Sequence, residues 1–206
     1  MFPQVDDVKF VVDSMLAKLG KKLRSCGIDT VFSVQYTYED MIDIARQDNR
    51  IVLTRGKWYA RICKYLAHGQ VHYIRANDTP SQLKEVLQRY RIRVQPSNLF
   101  ARCVICNGSA YAARSAEFVA TLPDQGKVPT GIIDRFQAEQ LSFYQCTVCQ
   151  KFYWEGAHIG RAFDSFFESI LPGSVVPHAR KMWGLDVGDA PLAAGDDPAA
   201  NILIGE

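Results

Sequence analysis

A doubly wound, mostly parallel α/β sheet followed by a cysteine-bearing ribbon and a C-terminal helix is the fold this sequence predicts. Three observations predict it. Short apolar runs alternate with helical periods over the first hundred residues, the mark of βαβ units. Six cysteines occur, and four of them form two C-x-x-C pairs, 103/106 and 146/149. The 206 residues are 48% hydrophobic and 22% charged, enough chain and enough apolar surface for a core without disulfide staples. The same composition excludes a mostly disordered, collagen-like or coiled-coil protein. No apolar run approaches the roughly 18 residues a membrane span needs.

The first strand is VKFVV, 8–12, which ends at Asp13. Met15, Leu16, Leu19 and Leu23 then recur at helical spacing, with Lys18, Lys21, Lys22 and Arg24 filling much of the rest of that helix. Gly27 stops it. TVFSV, 30–34, is the second strand. Thr37 caps the next helix with Asp40 three residues on, and Met41, Ile42 and Ala45 form its apolar face. RIVLT, 50–54, is the third strand, residues 57–68 are helical, and VHYIR, 71–75, is the fourth strand. Asp78 or Thr79 caps a last helix with Pro80 in its first turn and Leu83, Val86, Leu87 and Tyr90 inward.

Residues 1–98 therefore read as one α/β domain and 99–157 as a ribbon. Residues 158–183 read as a C-terminal helix with its connector, and 184–206 as a disordered acidic tail. The apolar positions Ile159, Phe163, Phe166, Phe167 and Ile170 make one wide helical stripe, expected to pack on its own chain or on a partner protein.

RCVICNG, 102–108, and QCTVCQK, 145–151, each place two thiolates on a tight turn, and they bracket 39 residues. Cys103, Cys106, Cys146 and Cys149 supply the four sulfurs of a tetrahedral structural zinc site with no open position for substrate. Phe143, Tyr144, Phe152, Tyr153 and Trp154 crowd the second pair. They read as the ribbon's own small core, with base stacking on one or two of them as the sharper alternative. His158 reads as a surface or hydrogen-bonding residue rather than a fifth ligand. Cys26 and Cys63 fall in helical patterns and read as small core residues.

The net charge of +2 is unevenly spread: residues 1–102 carry +7 and residues 103–206 carry −5. A basic first half points to a polyanion, usually RNA or DNA, with Lys18, Lys21, Lys22, Arg24, Arg55 and Lys57 as the candidate contacts should the partner be single-stranded RNA. A merely solvated basic face is the plain alternative. The N-terminus has no basic stretch leading into an apolar one, so an intracellular setting is expected ahead of a secreted one, in cytoplasm or perinuclear granules, with the nucleus also open.

In a doubly wound sheet, functional groups gather beyond the C-terminal strand ends. Asp13 follows the first strand and Asp78 the fourth, and Asp40 stands near the start of the second helix beside Glu39. Carboxylates converging on one crevice hold Mg²⁺ or Mn²⁺ in nucleases. Helix-start acids favoured by the dipole are the plain alternative for Asp40 and Asp78.

KFVVDSMLAKLGKKLRSCGIDT, DMIDIA, RIVLTRG, SQLKEVL and RCVICNG…YQCTVCQKFYWEGAHIGR stand in order over residues 9–161. Together they resemble the C-terminal domain of the Mutator-seven exoribonuclease family, whose members include trimmers of small-RNA 3′ ends. The resemblance implies a PIN-like RNase fold followed by a zinc ribbon, in a module serving small-RNA silencing. Many members read L-T-R-D after the third strand, where this chain has Leu53-Thr54-Arg55-Gly56. The family's acids carry over onto Asp13, Asp40 and Asp78 but not onto Gly56, and a site short of one carboxylate binds a cation less well. In animal members 3′→5′ catalysis resides in a separate exonuclease domain, for which 206 residues leave no room. The expectation is an RNA-binding and protein-docking C-terminal module with a degenerate nuclease centre. The alternative is an active ribonuclease using Asp13, Asp40 and Asp78 with Mg²⁺ or Mn²⁺.

Overall fold

The computed structural model of the chain describes residues 7–154, 170 and 173. Four short strands form a parallel sheet: β1 (Lys9–Val12), β2 (Asp29–Val31), β3 (Ile51–Thr54) and β4 (Val71–Tyr73), in the order β2-β1-β3-β4. Phe10 stands opposite both Thr30 of β2 and Ile51 of β3, and Val52 opposite Val71 of β4. Helices connect the strands: α1 (Ala17–Ser25), α2 (Tyr38–Gln47), α3 (Tyr59–Ile62) and α4 (Thr79–Arg89).

Alternation along β1 decides which helices go where. Phe10 and Val12 point to one face and meet Leu19 and Leu23 of α1 and Leu83 and Val86 of α4. Val11 points to the other face and meets Met41, Ile42 and Ala45 of α2 and Ile62 of α3. The result is an α/β/α sandwich with an apolar cluster on each face of the sheet. Ile170 packs against the first cluster. Thus the one described position of the predicted C-terminal stripe lies on its own chain. Phe163, Phe166, Phe167, His158 and the 184–206 segment lie outside the described residues.

Caps account for the helix boundaries. Thr37 and Asp40 form the reciprocal box expected of them, and the Asp78 side chain accepts from the Ser81 N–H at the start of α4. Gly27 ends α1 with φ +80°, and a Cβ there would meet the Asn98 carbonyl at 2.5 Å. Helix α3 is shorter than the 57–68 helix the sequence predicts: it makes one turn and gives way to turns up to Gly69. Cys63, expected in the core, is exposed for that reason, whereas Cys26 is buried as expected.

The cysteine-bearing region has a three-stranded antiparallel sheet, β5 (Tyr111–Arg114), β6 (Phe143–Cys146) and β7 (Phe152–Tyr153), in the order β5-β6-β7. Two helices, α5 (Ala116–Ala120) and α6 (Thr130–Ala138), fill the stretch between the cysteine pairs. They close a small core of Val119, Ile133, Phe136, Phe143, Phe152 and Trp154, with Phe136 and Phe143 stacked at 4.5 Å. Tyr144 alone of the expected core aromatics is well exposed, and Tyr153 is turned toward the cysteines. Among the described residues no helix is long and apolar enough to cross a membrane.

Candidate functional site

Two groups of chemistry-bearing side chains stand apart: a four-sulfur cluster and a carboxylate at the switch point of the parallel sheet. The two C-x-x-C turns are built alike. Cys103 N–H donates to Gly108 O and Asn107 N–H to Cys103 O; Cys146 N–H donates to Lys151 O and Gln150 N–H to Cys146 O. Asn107 and Gln150, each four residues past the first cysteine, take left-handed φ of 70° and 64°. The four Sγ atoms lie within 4.8 Å of one another, Cys103 to Cys149 at 3.5 Å and Cys106 to Cys146 at 3.6 Å. A disulfide needs about 2.05 Å. Four thiolates about 2.3 Å from one tetrahedral ion stand roughly 3.8 Å apart, so the cluster suits a metal such as zinc. Burial alone would push the Cys103 thiol up, but the Tyr153 hydroxyl at 3.0 Å and the Cys106 and Ile105 N–H groups draw it down to about 7.

A second role of this unit is invisible in the sequence. Edge strand β2 points the Thr30 N–H and C=O away from β1. The Asn107 side chain accepts from that N–H at 3.1 Å, and Arg24 Nε donates to that C=O at 2.7 Å. Arg24 also donates to the carbonyls of Val104 and Ile105 in the first turn, and its guanidinium lies 4.1 Å over the Phe32 ring. Asp29 of β2 holds Arg50 at 2.6 Å and accepts from Asn107 at 2.8 Å. The cysteine unit thus caps an exposed sheet edge with side chains. Gly20 admits this arrangement, since a Cβ there would meet the Phe32 ring at 2.5 Å. Arg24 is a correction to the sequence reading. It is buried, 4% exposed, with its donors spent on backbone carbonyls, and is not offered to RNA. Burial lowers its pKa to about 10, so it remains charged at neutral pH.

The strand order reverses between β1 and β3, and Asp13 lies at that point. Its N–H donates to Leu53 O at 2.9 Å, which locks it to the end of β3. Its carboxylate is 5% exposed as a residue and is held by the Thr54 hydroxyl at 2.7 Å and the Met15 N–H at 3.2 Å. A Cβ at Gly56 would sit 3.2 Å from Asp13 Oδ2, so a side chain at position 56 would enter the space in front of Asp13.

The other two acids are engaged elsewhere. Asp40 is exposed and its Oδ2 accepts from both the Thr37 N–H and the Thr37 hydroxyl, while Asp78 is exposed and caps α4. These backbone bonds hold both carboxyls below the usual carboxylate range. Among the described residues the four cysteines are the cluster of three or more metal-ligating side chains that lie within 4.8 Å of one another; Asp13, Asp40 and Asp78 make no such cluster.

The predicted RNA contacts divide as sharply. Lys18 and Lys57 are exposed. Lys21 and Lys22 are half-buried on α1, and burial lowers the Lys22 pKa. Arg55 donates to the Ala76 carbonyl and the Asn77 side chain. Sequence reasoning passed over Arg61, Lys64 and Arg75, exposed on the flanks of α3 and β4. The signal for them is the run from 49 to 77, which contains no acidic residue.

The family model of the Mut7-C RNAse domain matches residues 8–166, which takes in both the parallel sheet and the four-cysteine cluster. The human protein named "Exonuclease mut-7 homolog" is 24% identical over 234 aligned residues, covering 82% of this chain. The chain spans 27% of that relative's length. With a match over most of its length, the chain belongs to the Mut7-C RNAse domain family, and it is a nuclease-related domain.

Proposed function

We propose that this chain is an RNA-binding module whose own nuclease centre is degenerate. It holds one structural zinc in the four-cysteine cluster and works beside a 3′→5′ exoribonuclease in small-RNA processing. The observation that carries the reading is the isolation of Asp13. Its carboxylate sits at the switch point, where a Cβ at position 56 would come within 3.2 Å but glycine supplies no side chain, while Asp40 and Asp78 serve as helix caps. A divalent cation that activates water needs several oxygen ligands in one place. One buried carboxylate, already bonded by a hydroxyl and an N–H, does not supply them. Zinc in the cysteine cluster would supply a fourfold cross-link and no chemistry, because a Cys₄ site is closed. The exonuclease neighbour rests on the relative's name, and the small-RNA role rests only on the family resemblance carried by the sequence motifs. A protein partner for the C-terminal segment rests on its apolar stripe alone.

A specific observation favours the second reading, an active ribonuclease: Asp13 is a buried acid at the position where such folds place their chemistry. One experiment separates the two. Single-stranded RNA is incubated with the chain and Mg²⁺ or Mn²⁺, with Asp13→Asn as control, beside a binding titration. The expected outcome is binding without cleavage. Metal-dependent cleavage that vanishes in Asp13→Asn would establish the second reading.

A further inference from the structure

We infer that the RNA surface is the cationic, tyrosine-bearing face around α3 and β4, rather than helix α1, and that it takes single-stranded RNA by stacking bases on Tyr59, Tyr65 and Tyr73. The inference rests on the RNA-binding reading above and names its surface.

Charge and aromatic exposure coincide there. Between Asp48 and Asp78 the chain has no acidic residue and carries Arg50, Arg55, Lys57, Arg61, Lys64 and Arg75. Arg50 is buried against Asp29 and Asp48, and Arg55 is tied to Asn77. Lys57, Arg61, Lys64 and Arg75 are exposed. Two acids border the patch: Glu39, against Tyr38 and Arg61, and Glu85, which accepts from the Arg75 N–H. Tyr59, Tyr65 and Tyr73 stand 36%, 52% and 39% exposed; Tyr59 lies near Arg75 and against Tyr73, and Tyr65 lies near Tyr38, over which Arg61 sits.

Large exposed aromatics carry an apolar cost, and here they are not buried against the core as Phe10 or Phe136 are. Tyr59 and Tyr73 meet edge to face at 5.4 Å and 76°, so the ring presenting its edge keeps both faces outside the contact. Tyr38 and Trp58, stacked at 5.0 Å, have Arg61 and Lys57 over them and pack on the core, a rigid base for the patch.

Cations that track a backbone and open aromatic faces together describe a single-stranded nucleic acid. A duplex keeps its bases stacked and uses only the cations. An acidic peptide likewise uses the cations and leaves the rings idle. Position adds to the case: the Tyr59 N–H donates to Gly56 O at 3.3 Å, so the patch begins beside Asp13. Helix α1 is the poorer surface, with Arg24 buried and Lys22 half-buried.

The test is a fluorescence-anisotropy titration of the full chain with a labelled oligouridine of about a dozen nucleotides over a salt series. Duplex RNA and polyglutamate serve as competitors. Tyr59→Leu with Tyr73→Leu should weaken binding about ten-fold or more at unchanged salt slope, because stacking does not release counterions. Lys64→Glu with Arg75→Glu should weaken it and flatten the slope by about 1.4, the share of two phosphate contacts on a single strand. Tyr65→Ala, at the most exposed of the three rings, gives an independent reading should the double variant fail to fold. Undetectable binding by the unaltered chain at low salt would sink both this inference and the RNA-binding reading. Binding that ignores all three tyrosines but collapses on Lys21→Glu with Lys22→Glu would overturn this surface and leave that reading standing. Competition by polyglutamate or duplex as strong as by oligouridine would assign the patch to simple anion binding and overturn the inference.

Discussion

The parallel-sheet unit and the cysteine unit lie side by side in one chain and are held together by different means. In the first, helices cover both faces of the sheet and each face closes its own apolar cluster. In the second, a three-stranded sheet that ends in a two-residue strand covers one small cluster, and its other end is four sulfurs. The difference teaches where each unit's stability comes from. Burial suffices for the sandwich, whose apolar area grows with its three layers. The cysteine unit is of a size at which folded domains usually need a metal or a disulfide.

The seam between them is polar. Arg24, Asp29, Arg102 and Asn107 join the first cysteine turn to β2 through buried or half-buried hydrogen bonds, with Arg102 donating to the Gly27 and Asn107 carbonyls. The cysteine unit therefore completes the hydrogen bonding of the sandwich. Neither unit's edge is satisfied alone.

The largest effect expected is that of removing the metal. The purified chain should contain one zinc, and a strong chelator should collapse the cysteine unit while leaving the sandwich folded, since apparent zinc affinities of Cys-rich sites are worth about 10–16 kcal/mol. Amide exchange sharpens the comparison. The Thr30 N–H, capped by Asn107, should lose protection with the cysteine turns, while the amides of β1 and β3, paired inside the sheet, keep theirs. Zinc-free protein with an intact cysteine unit, or a sandwich that melts first, would reverse the assignment.

Next in size is the seam itself. Arg24→Met keeps the apolar stem and removes the guanidinium. It strands the carbonyls of Thr30, Val104 and Ile105 in a buried setting, at a cost on the order of 3 kcal/mol. Urea unfolding followed separately in each unit checks it. Both transitions should move, because the side chain serves both. A change confined to one unit would mean that the seam is a contact without coupling.

How much of this was legible in the sequence depends on whether the cause is local. The four parallel strands and the helices α1, α2 and α4 follow from hydrophobic period and caps, and Thr37, Asp40 and Asp78 announce helix starts by residue type. The cysteine cluster follows from spacing. Helices α5 and α6 escaped notice because they are short, although Ser115, which accepts from the Phe118 N–H, is a cap the sequence displays. Arg24 was not legible as a buried residue at all. It follows Leu23 on a helix rich in lysine, and what buries it lies about eighty residues further along the chain. Gly56 was legible as a missing acid only through the family pattern, whereas its placement before Asp13 needs the fold.

The smallest effect belongs to the sandwich alone and concerns acid. Glu85 of α4 accepts from the N–H groups of Arg75 and Ala76 and lies 2.9 Å from His72 Nε2. Burial works to raise its pKa, but the two backbone donors and His72 outweigh that and hold it below the usual glutamate value. A carboxyl with a depressed folded pKa stabilises the fold above its unfolded value, near 4.3, and the contribution disappears as pH falls through the folded value. Glu85→Gln should therefore be less stable than the unaltered chain at pH 7. The gap should close as pH drops through about 4 and below, when both side chains are neutral. The readout is the urea midpoint of the sandwich, measured over that range. A gap independent of pH would mean that Glu85 acts by shape alone. A gap that widens in acid would mean that the folded state raises its pKa, against the hydrogen bonds drawn for it here.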